Sequence, residues 1–259
     1  MSPMSPRLLR PRANTAFTPR SLANLALWYD GADTSTFTLN GSNISEWRDK
    51  SGANRHASQA SAASQPAYGT WSGGLRAASN ADLRNGFLSV TNGLSLTRNI
   101  GAFCVSTVIR VSFETTGQLL FQANSGAANA RVRMAVNETA VAAGALSAIG
   151  RRLDANSIDG AVGGSSPIAN ADYVVTAIWD FTNARALIYR NGTLLAEDTA
   201  FQTAGNTSDT DSSAIQIMGL GAFFFGLMGE FVAYTRRPSD SERVALERYL
   251  GRKWGITIA

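Results

Sequence analysis

Residues 229–255 read GEFVAYTRRPSDSERVALERYLGRKWG, and this stretch decides the fold. Its apolar run at 231–234 predicts a strand, which cannot continue through Pro238. Ser239 can then accept a hydrogen bond from the first free backbone amides of a helix, and Glu242, three residues later, can complete a capping box. Four apolar residues follow at the spacing of one helix face and three arginines fall outside it: Leu246, Tyr249, Leu250 and Trp254 on the face, Arg243, Arg248 and Arg252 off it.

The chain before this helix consists of short strand-like segments. In the strongest, residues 103–113, apolar side chains fall on one face of a predicted strand. Asn191-Gly192 is a tight-turn dipeptide that joins two further segments. The sequence predicts strands at 25–30, 44–47, 103–113, 131–137, 173–180, 184–190, 193–197, 214–218 and 227–234, with 57–64 as a loop. Many short strands, glycine-rich turns and one closing helix favour a single antiparallel sandwich over residues 21–259.

One cysteine and one histidine exclude several kinds of site. Cys104 has no cysteine partner for an intramolecular disulfide, and its place in the strongest strand favours a buried, unreactive thiol. A Ser-His-Asp triad or a histidine-rich zinc site would have to be built around His56 alone, and its polar neighbours favour a solvated loop. The longest weakly polar run, 218–229, is too short to cross a bilayer, so no membrane partner is expected.

The net charge of +4 belongs to residues 1–20, whose only ionisable side chains are Arg7, Arg10, Arg12 and Arg20. The remaining 19 of the 23 basic residues balance 19 acidic ones, so no basic face for nucleic acid is expected on the body. Four of the seven prolines also lie in this segment, which predicts an extended arm that does not fold alone. No apolar signal segment is visible near the N-terminus, so we expect synthesis in a cytoplasm without export.

Four stretches, in this order and spacing, carry a resemblance to a known family. They are LALWYDGAD (25–33), ISEWRDKSG (44–52), VVTAIWDFTNARALIYRNGTLLA (174–196) and residues 215–255. The body resembles the concanavalin A-like, laminin-G-like jelly roll family, in the form common in bacterial and tailed-phage proteins. The resemblance implies an all-β, antiparallel two-sheet jelly-roll sandwich with one C-terminal helix, a scaffold that often binds glycans or proteins. Residues 57–100 depart from the family pattern.

By family analogy, Asp30, Asp33 and Asp49 are candidates for a Ca²⁺ site, because they lie in turns beside tryptophans. Turn capping is the alternative for all three, and no other cofactor is expected. Glu230 matches a family position, where a structural hydrogen-bonding role is favoured over catalysis. Jelly-roll glycosidases need two carboxylates across the scissile bond. The one pair with suitable spacing, Asp209 and Asp211, lies in a Ser/Thr/Asp-rich loop, so the protein is not expected to be an enzyme.

Glycan binding usually needs an exposed aromatic ring beside polar groups. Trp71 and Tyr68 are the candidates, because strand periodicity does not explain them. The alternative for Trp71 is packing against the edge of the sandwich.

The leading hypothesis from the sequence is a non-enzymatic virion structural protein of a tailed phage. In it, the arm arginines at 7, 10, 12 and 20 dock the chain, present in several copies, onto other virion proteins. The alternative is a carbohydrate-binding module for a host surface glycan, and a polysaccharide-degrading enzyme is a remote third.

Overall fold

The computed structural model describes residues 17–112, 117–125, 129–137, 146–164, 170–219 and 222–259. The strands are β1 (Leu25–Asp30), β2 (Phe37–Asn40), β3 (Asn43–Trp47), β4 (Ala57–Ser58), β5 (Ala67–Thr70), β6 (Arg76–Ser79), β7 (Leu88–Val90), β8 (Ala102–Val111), β9 (Gln118–Ser125), β10 (Asn129–Val136), β11 (Leu146–Gly150), β12 (Asp159–Gly163), β13 (Asp172–Asp180), β14 (Arg185–Arg190), β15 (Thr193–Asp198), β16 (Ser212–Ile217) and β17 (Gly226–Tyr234). The helix α1 spans Asp240–Trp254, and short 3-10 helices span Pro19–Ser21, Thr34–Thr36, Ala62–Ser64, Ser72–Gly74 and Leu94–Thr97.

Two antiparallel sheets form a jelly-roll-like sandwich, as the sequence predicts. The first sheet has the order β1–β17–β8–β13–β14–β15. The second has the order β2–β3–β4–β7–β16–β9–β10–β11–β12. The β5–β6 hairpin joins them, because β5 pairs with β3 and β6 pairs with β17. Between the sheets, the ring centroid of Phe121 lies 5.8 Å from that of Phe103 and 5.3 Å from that of Phe231.

Strand β8 is central to the first sheet and is buried on both faces. Phe103, Val105 and Ile109 belong to the core between the sheets, which confirms the predicted alternation. Cys104 and Val108 belong to a second core on the opposite face of the sheet, beneath α1. Burial raises the pKa of the Cys104 thiol, and the predicted buried thiol is confirmed. Phe113, the last residue assigned to this strand from the sequence, lies outside the described residues.

The caps of α1 are those that the sequence predicts. The Ser239 side chain accepts a hydrogen bond from the Glu242 backbone N–H, and the Glu242 carboxylate accepts one from the Ser239 N–H. The helix ends at Gly255, whose φ of 73° is left-handed and favours glycine. The predicted apolar residues at 246, 250 and 254 are buried against the first sheet.

One expectation for this helix needs correction. Arg243 stands three residues before Leu246 and seven before Leu250, so it shares their helix face and is buried, whereas Arg248 and Arg252 are exposed. The Arg243 guanidinium lies 3.9 Å from the ring centroid of Tyr189 and donates a 2.5 Å hydrogen bond to the buried Glu247 carboxylate. Arg243 and Glu247 thus form an ion pair at i and i+4, and both charges can be buried between the helix and the sheet because each is the partner of the other.

The structure also contains strands that the sequence reasoning missed. The predicted hairpin is present as β13 and β14, and Asn191-Gly192 turns into β15 with both φ angles positive. By contrast, the sequence does not predict β2, β5, β6, β7, β9, β11 and β12. The predicted loop at 57–64 contains the two-residue strand β4 and one 3-10 turn.

The last residues of the predicted arm pack on the body. The backbone carbonyl of Pro19 accepts a 3.0 Å hydrogen bond from the buried Tyr234 hydroxyl. Phe17 packs against Tyr249 of α1, with 6.0 Å between ring centroids. The boundary drawn at residue 20 thus falls inside a segment that contacts the sandwich. Among the described residues, no helix has the length and apolar content needed to cross a bilayer.

The Gly229→Ala variant tests how tightly α1 is seated on β17. A Cβ at residue 229 would lie 2.7 Å from the Trp254 ring, which is buried and cannot move aside freely. We expect a loss of about 2 kcal/mol in the free energy of unfolding, measured by urea denaturation. The matched control is Gly52→Ala, where a Cβ has open space and only the positive φ is strained. An effect no larger than that of the control would contradict the close contact.

Candidate functional site

Residues from two of the four stretches that carry the family resemblance meet around one buried carboxylate. Glu230 of β17 is fully buried and accepts hydrogen bonds from the indole Nε1 of Trp28 and of Trp254, each at 2.8 Å. Lys253 Nζ lies 2.7 Å from Glu230 Oε2. Burial raises the pKa of Glu230, and the nearby Asp30 raises it further, while Lys253 lowers it. The structural hydrogen-bonding role favoured for Glu230 fits this geometry.

Two of the predicted Ca²⁺ candidates are held by lysines. Asp30 forms salt bridges with Lys253 Nζ at 2.5 Å and Lys50 Nζ at 2.8 Å. Asp33 forms one with Lys50 Nζ at 2.8 Å. The hydrogen bond from Lys50 lowers the pKa of Asp33 to about 2, with help from Ser35. We call these two aspartates, the two lysines and Glu230 the charge cluster. In it, ammonium groups occupy the positions beside the carboxylates that a cation would take.

Asp49, the third candidate, organises the turn after β3. Its carboxylate accepts hydrogen bonds from the backbone N–H groups of Trp28, Ser51 and Arg55. The backbone N–H of Asp49 in turn donates to Nδ1 of His56 at 3.1 Å. These contacts agree with the turn-capping alternative. Within the described part of the chain, no group of three or more His, Cys, Asp or Glu side chains is placed to hold a metal ion.

The two aromatic candidates for glycan stacking do not form an exposed platform. Trp71 is only 2% exposed and packs edge-on against Trp254, with 5.2 Å between ring centroids. The expectation of an open ring at Trp71 is therefore corrected, because its faces are covered by Trp254 and by the Arg110 guanidinium at 5.1 Å. Tyr68 is half-buried against Phe37, with the Arg76 guanidinium 4.9 Å from its ring centroid.

The predicted docking arginines are described only in part. Arg7, Arg10 and Arg12 lie outside the described residues. Arg20 donates two hydrogen bonds to the backbone carbonyl of Lys50, so it contacts the turn beside the charge cluster.

A row of polar side chains crosses the outer face of the second sheet. Leu88 and Ile217 point into the core between the sheets. Ser89 and Gln216 are adjacent to them in β7 and β16, so their side chains point to the opposite, outer face. Gln216 Nε2 donates to Ser89 Oγ at 3.0 Å, and Arg133 Nε donates to Gln122 Oε1 at 2.6 Å. The members of this polar row stand opposite one another on seven neighbouring strands: Thr38, Glu46, Ser58, Ser89, Gln216, Gln122 and Arg133.

One end of the polar row opens into a groove of about 460 Å³, which we call the polar groove. It is lined by Thr38, Asn40, Ser45, Glu46, Ser58, Gln59, Ala60 and Gln65. The amide of Gln65 is held at both ends, because its Nε2 donates to the Gln59 carbonyl at 2.8 Å and its Oε1 accepts from Asn40 Nδ2 at 3.3 Å. The groove therefore has hydroxyls and the amides of Asn40 and Gln59 on its surface, together with a single carboxylate, Glu46, while the buried Gln65 supports them from below.

Sequence reasoning did not find this groove. Its residues come from β2, β3, β4 and the segment before β5, and the alignment of β3 with β4 is set by pairing across the sheet. One signal was present in the sequence, since Ser58 and Gln59 belong to the predicted loop at 57–64 and Gln65 follows it directly.

Similar proteins were found only among solved structures. No protein-family model matches this sequence, and no curated protein matches it significantly. Domain 4 of AbnA, a GH43 extracellular arabinanase from Geobacillus stearothermophilus solved with arabinotriose, is 14% identical, with a TM-score of 0.58 over 86% of this chain and 97% of that one. The binding domain of botulinum neurotoxin serotype C1 is 14% identical, with a TM-score of 0.57 over 90% of this chain and 53% of that one.

A third match is a sialidase from Trypanosoma rangeli, 15% identical, with a TM-score of 0.52 over 91% of this chain. This chain spans only about a third of the sialidase, 34% of its length. At these identities the matches show a shared fold. The chain thus shares its β-sandwich fold with these three proteins.

The Glu230→Gln variant tests the buried carboxylate. An amide keeps the shape of the side chain but presents a donor to one indole N–H and removes the charge facing Lys253. We expect a loss of about 3 kcal/mol in the free energy of unfolding. Glu46→Gln, on a partly exposed carboxylate, is the matched control and should change it by about 0.5 kcal/mol or less. Equal effects of the two variants in chemical denaturation would contradict the role of Glu230.

The salt bridge of Asp33 predicts a pH dependence. Because its pKa is lowered on folding to about 2, its contribution to stability is present above the unfolded pKa of about 4 and is lost as the pH falls through about 2. Asp33→Asn should remove this part of the acid-induced loss, and so flatten the curve of unfolding free energy against pH in that window. Added salt should weaken the wild-type slope, because Asp33 is partly exposed. Identical slopes for the two proteins would contradict the assignment.

Proposed function

We propose that this domain is a non-catalytic glycan-binding module that takes a saccharide in the polar groove. The observation that carries the proposal is the groove itself, an oriented set of hydroxyls and amides at one end of the polar row. Sugar hydroxyls both donate and accept hydrogen bonds, and amide side chains can satisfy both needs. The similarity of nearly the whole domain to one solved with arabinotriose supports the same function.

Binding fits the groove better than hydrolysis does. Glycoside hydrolysis generally uses two carboxyl groups on opposite sides of the scissile bond. Among the residues lining the groove, Glu46 alone has a carboxylate. The similar solved structures include two from enzymes and a toxin binding domain, so they are compatible with both binding and hydrolysis. We choose binding because of the side chains that line the groove.

The virion role stays a prediction from the sequence and can hold together with glycan binding. Phe17, where the described chain begins, contacts α1, which covers the outer face of the first sheet. The polar groove lies on the outer face of the second sheet. A chain docked through its N-terminal arm would therefore leave the groove facing outward.

Calorimetric titration and a glycan array test the proposal, with arabinotriose as the first probe. The triple variant Asn40→Ala, Glu46→Ala, Gln59→Ala should lower the affinity for any saccharide that binds by at least about tenfold, because each lost hydrogen bond costs about 1 kcal/mol. The control is Thr193→Ala, which removes an exposed hydroxyl from β15 of the first sheet. Thr38→Ala, the equivalent change inside the groove, should weaken binding where Thr193→Ala does not.

Two outcomes would count against the proposal. If no saccharide on the array binds the folded protein, the module is not a glycan binder. If one binds with equal affinity to wild type and triple variant, the polar groove is not its site.

A further inference from the structure

A second groove lies on the opposite side of the molecule, beside α1. It has a volume of about 510 Å³ and is lined by Phe17, Ala245, Arg248, Arg252, Ile256, Thr257 and Ile258. The floor is apolar, because Ile256 is buried and Phe17, Ala245 and Ile258 are half-buried. We call this site the helix groove.

Two arginines form one wall of the helix groove. Arg248 and Arg252 stand at i and i+4 on α1, so their side chains share one helix face. Both are exposed, and neither forms an ion pair with any described carboxylate. The Arg252 side chain donates to the backbone carbonyl of Arg248, which holds the two residues together.

Arg248 and Arg252 are the one pair of like charges at i and i+4 on α1. Like charges at this spacing destabilise a helix slightly, whereas Arg243 of the same helix pairs with Glu247, and Glu242 pairs with Arg236 of the preceding segment. On α1, Arg243 and Lys253 have carboxylate partners, so the positive charge of this helix that lacks a described carboxylate partner lies beside the apolar floor of the groove. A ligand that offers both carboxylates and apolar side chains would match this combination.

We propose that the helix groove binds an acidic, amphipathic peptide segment of another protein. Apolar side chains of the partner would fill the groove between Phe17 and Ile258, and its carboxylates would pair with Arg248 and Arg252. Guanidinium groups suit this role, because they bind carboxylates in a bidentate geometry. The concave shape favours a peptide over a flat lipid surface. The arm of the same chain is a poor occupant, because residues 1–16 contain three arginines and no acidic residue.

Fluorescence anisotropy with labelled synthetic peptides tests this proposal on the full chain. The probes are a twelve-residue peptide of alternating Glu and Leu blocks, the same peptide with Gln for Glu, and the same with Lys for Glu. We expect the Glu peptide to bind about tenfold more tightly than the Gln peptide, and added salt to reduce the difference.

Charge reversal provides the decisive comparison. The double variant Arg248→Glu, Arg252→Glu should lose the preference for the Glu peptide and gain one for the Lys peptide, while Arg248→Lys, Arg252→Lys should keep most of the original preference. Both variants change exposed residues, so we expect them to fold, and thermal unfolding measures whether they do. Ala245→Trp, which narrows the groove without changing its charge, should weaken all binding.

Three outcomes would overturn the proposal. They are equal binding of the Glu and Gln peptides, an unchanged preference after charge reversal, and binding to vesicles of anionic phospholipid with none to the peptides. Each leaves the glycan proposal standing, because the two grooves lie on opposite faces and have no residue in common.

Discussion

The buried carboxylate of Glu230 is the constraint on which this structure depends. It accepts hydrogen bonds from an indole of β1 and an indole of α1, and it lies in the middle of β17. One side chain therefore joins the edge of the first sheet, its closing strand and the helix that covers it. A carboxylate without partners could not be buried there, because the cost of leaving water would exceed the gain from packing. The surrounding donors thus determine where the helix lies as well as satisfying the charge.

The two lysines of the chain both belong to this cluster, although the protein has 23 basic residues. Lys253 Nζ contacts Asp30, Glu230 and the Tyr249 hydroxyl. A compact ammonium can direct its three protons to three acceptors in different directions, whereas a planar guanidinium presents its donors in one plane. Because the sequence has no lysine at any other position, it already indicated that residues 50 and 253 have related roles.

Local features of the fold could be predicted, and features set by distant pairing could not. The capping box of α1, the alternation in β8 and the Asn191-Gly192 turn depend on residues close in sequence. Strands β5 and β6 are rich in small residues with weak strand preference, and they form because β17 and β3 pair with them. Arg243 stands at same-face helical spacing from Leu246 and Leu250, and Glu247, four residues later, indicated the partner that allows its burial. The burial of Trp71 depends on Trp254, 183 positions away, and the polar groove depends on register between strands.

The position of Phe17 beside Ile258 has a consequence for how this domain can be joined to another protein. Both residues line the helix groove, so the chain enters and leaves the sandwich at neighbouring points on one face. A domain with adjacent ends can be inserted into a loop of a host protein without stretching either junction. Such a host would be attached on the helix side, and the polar row would point away from it into the surroundings.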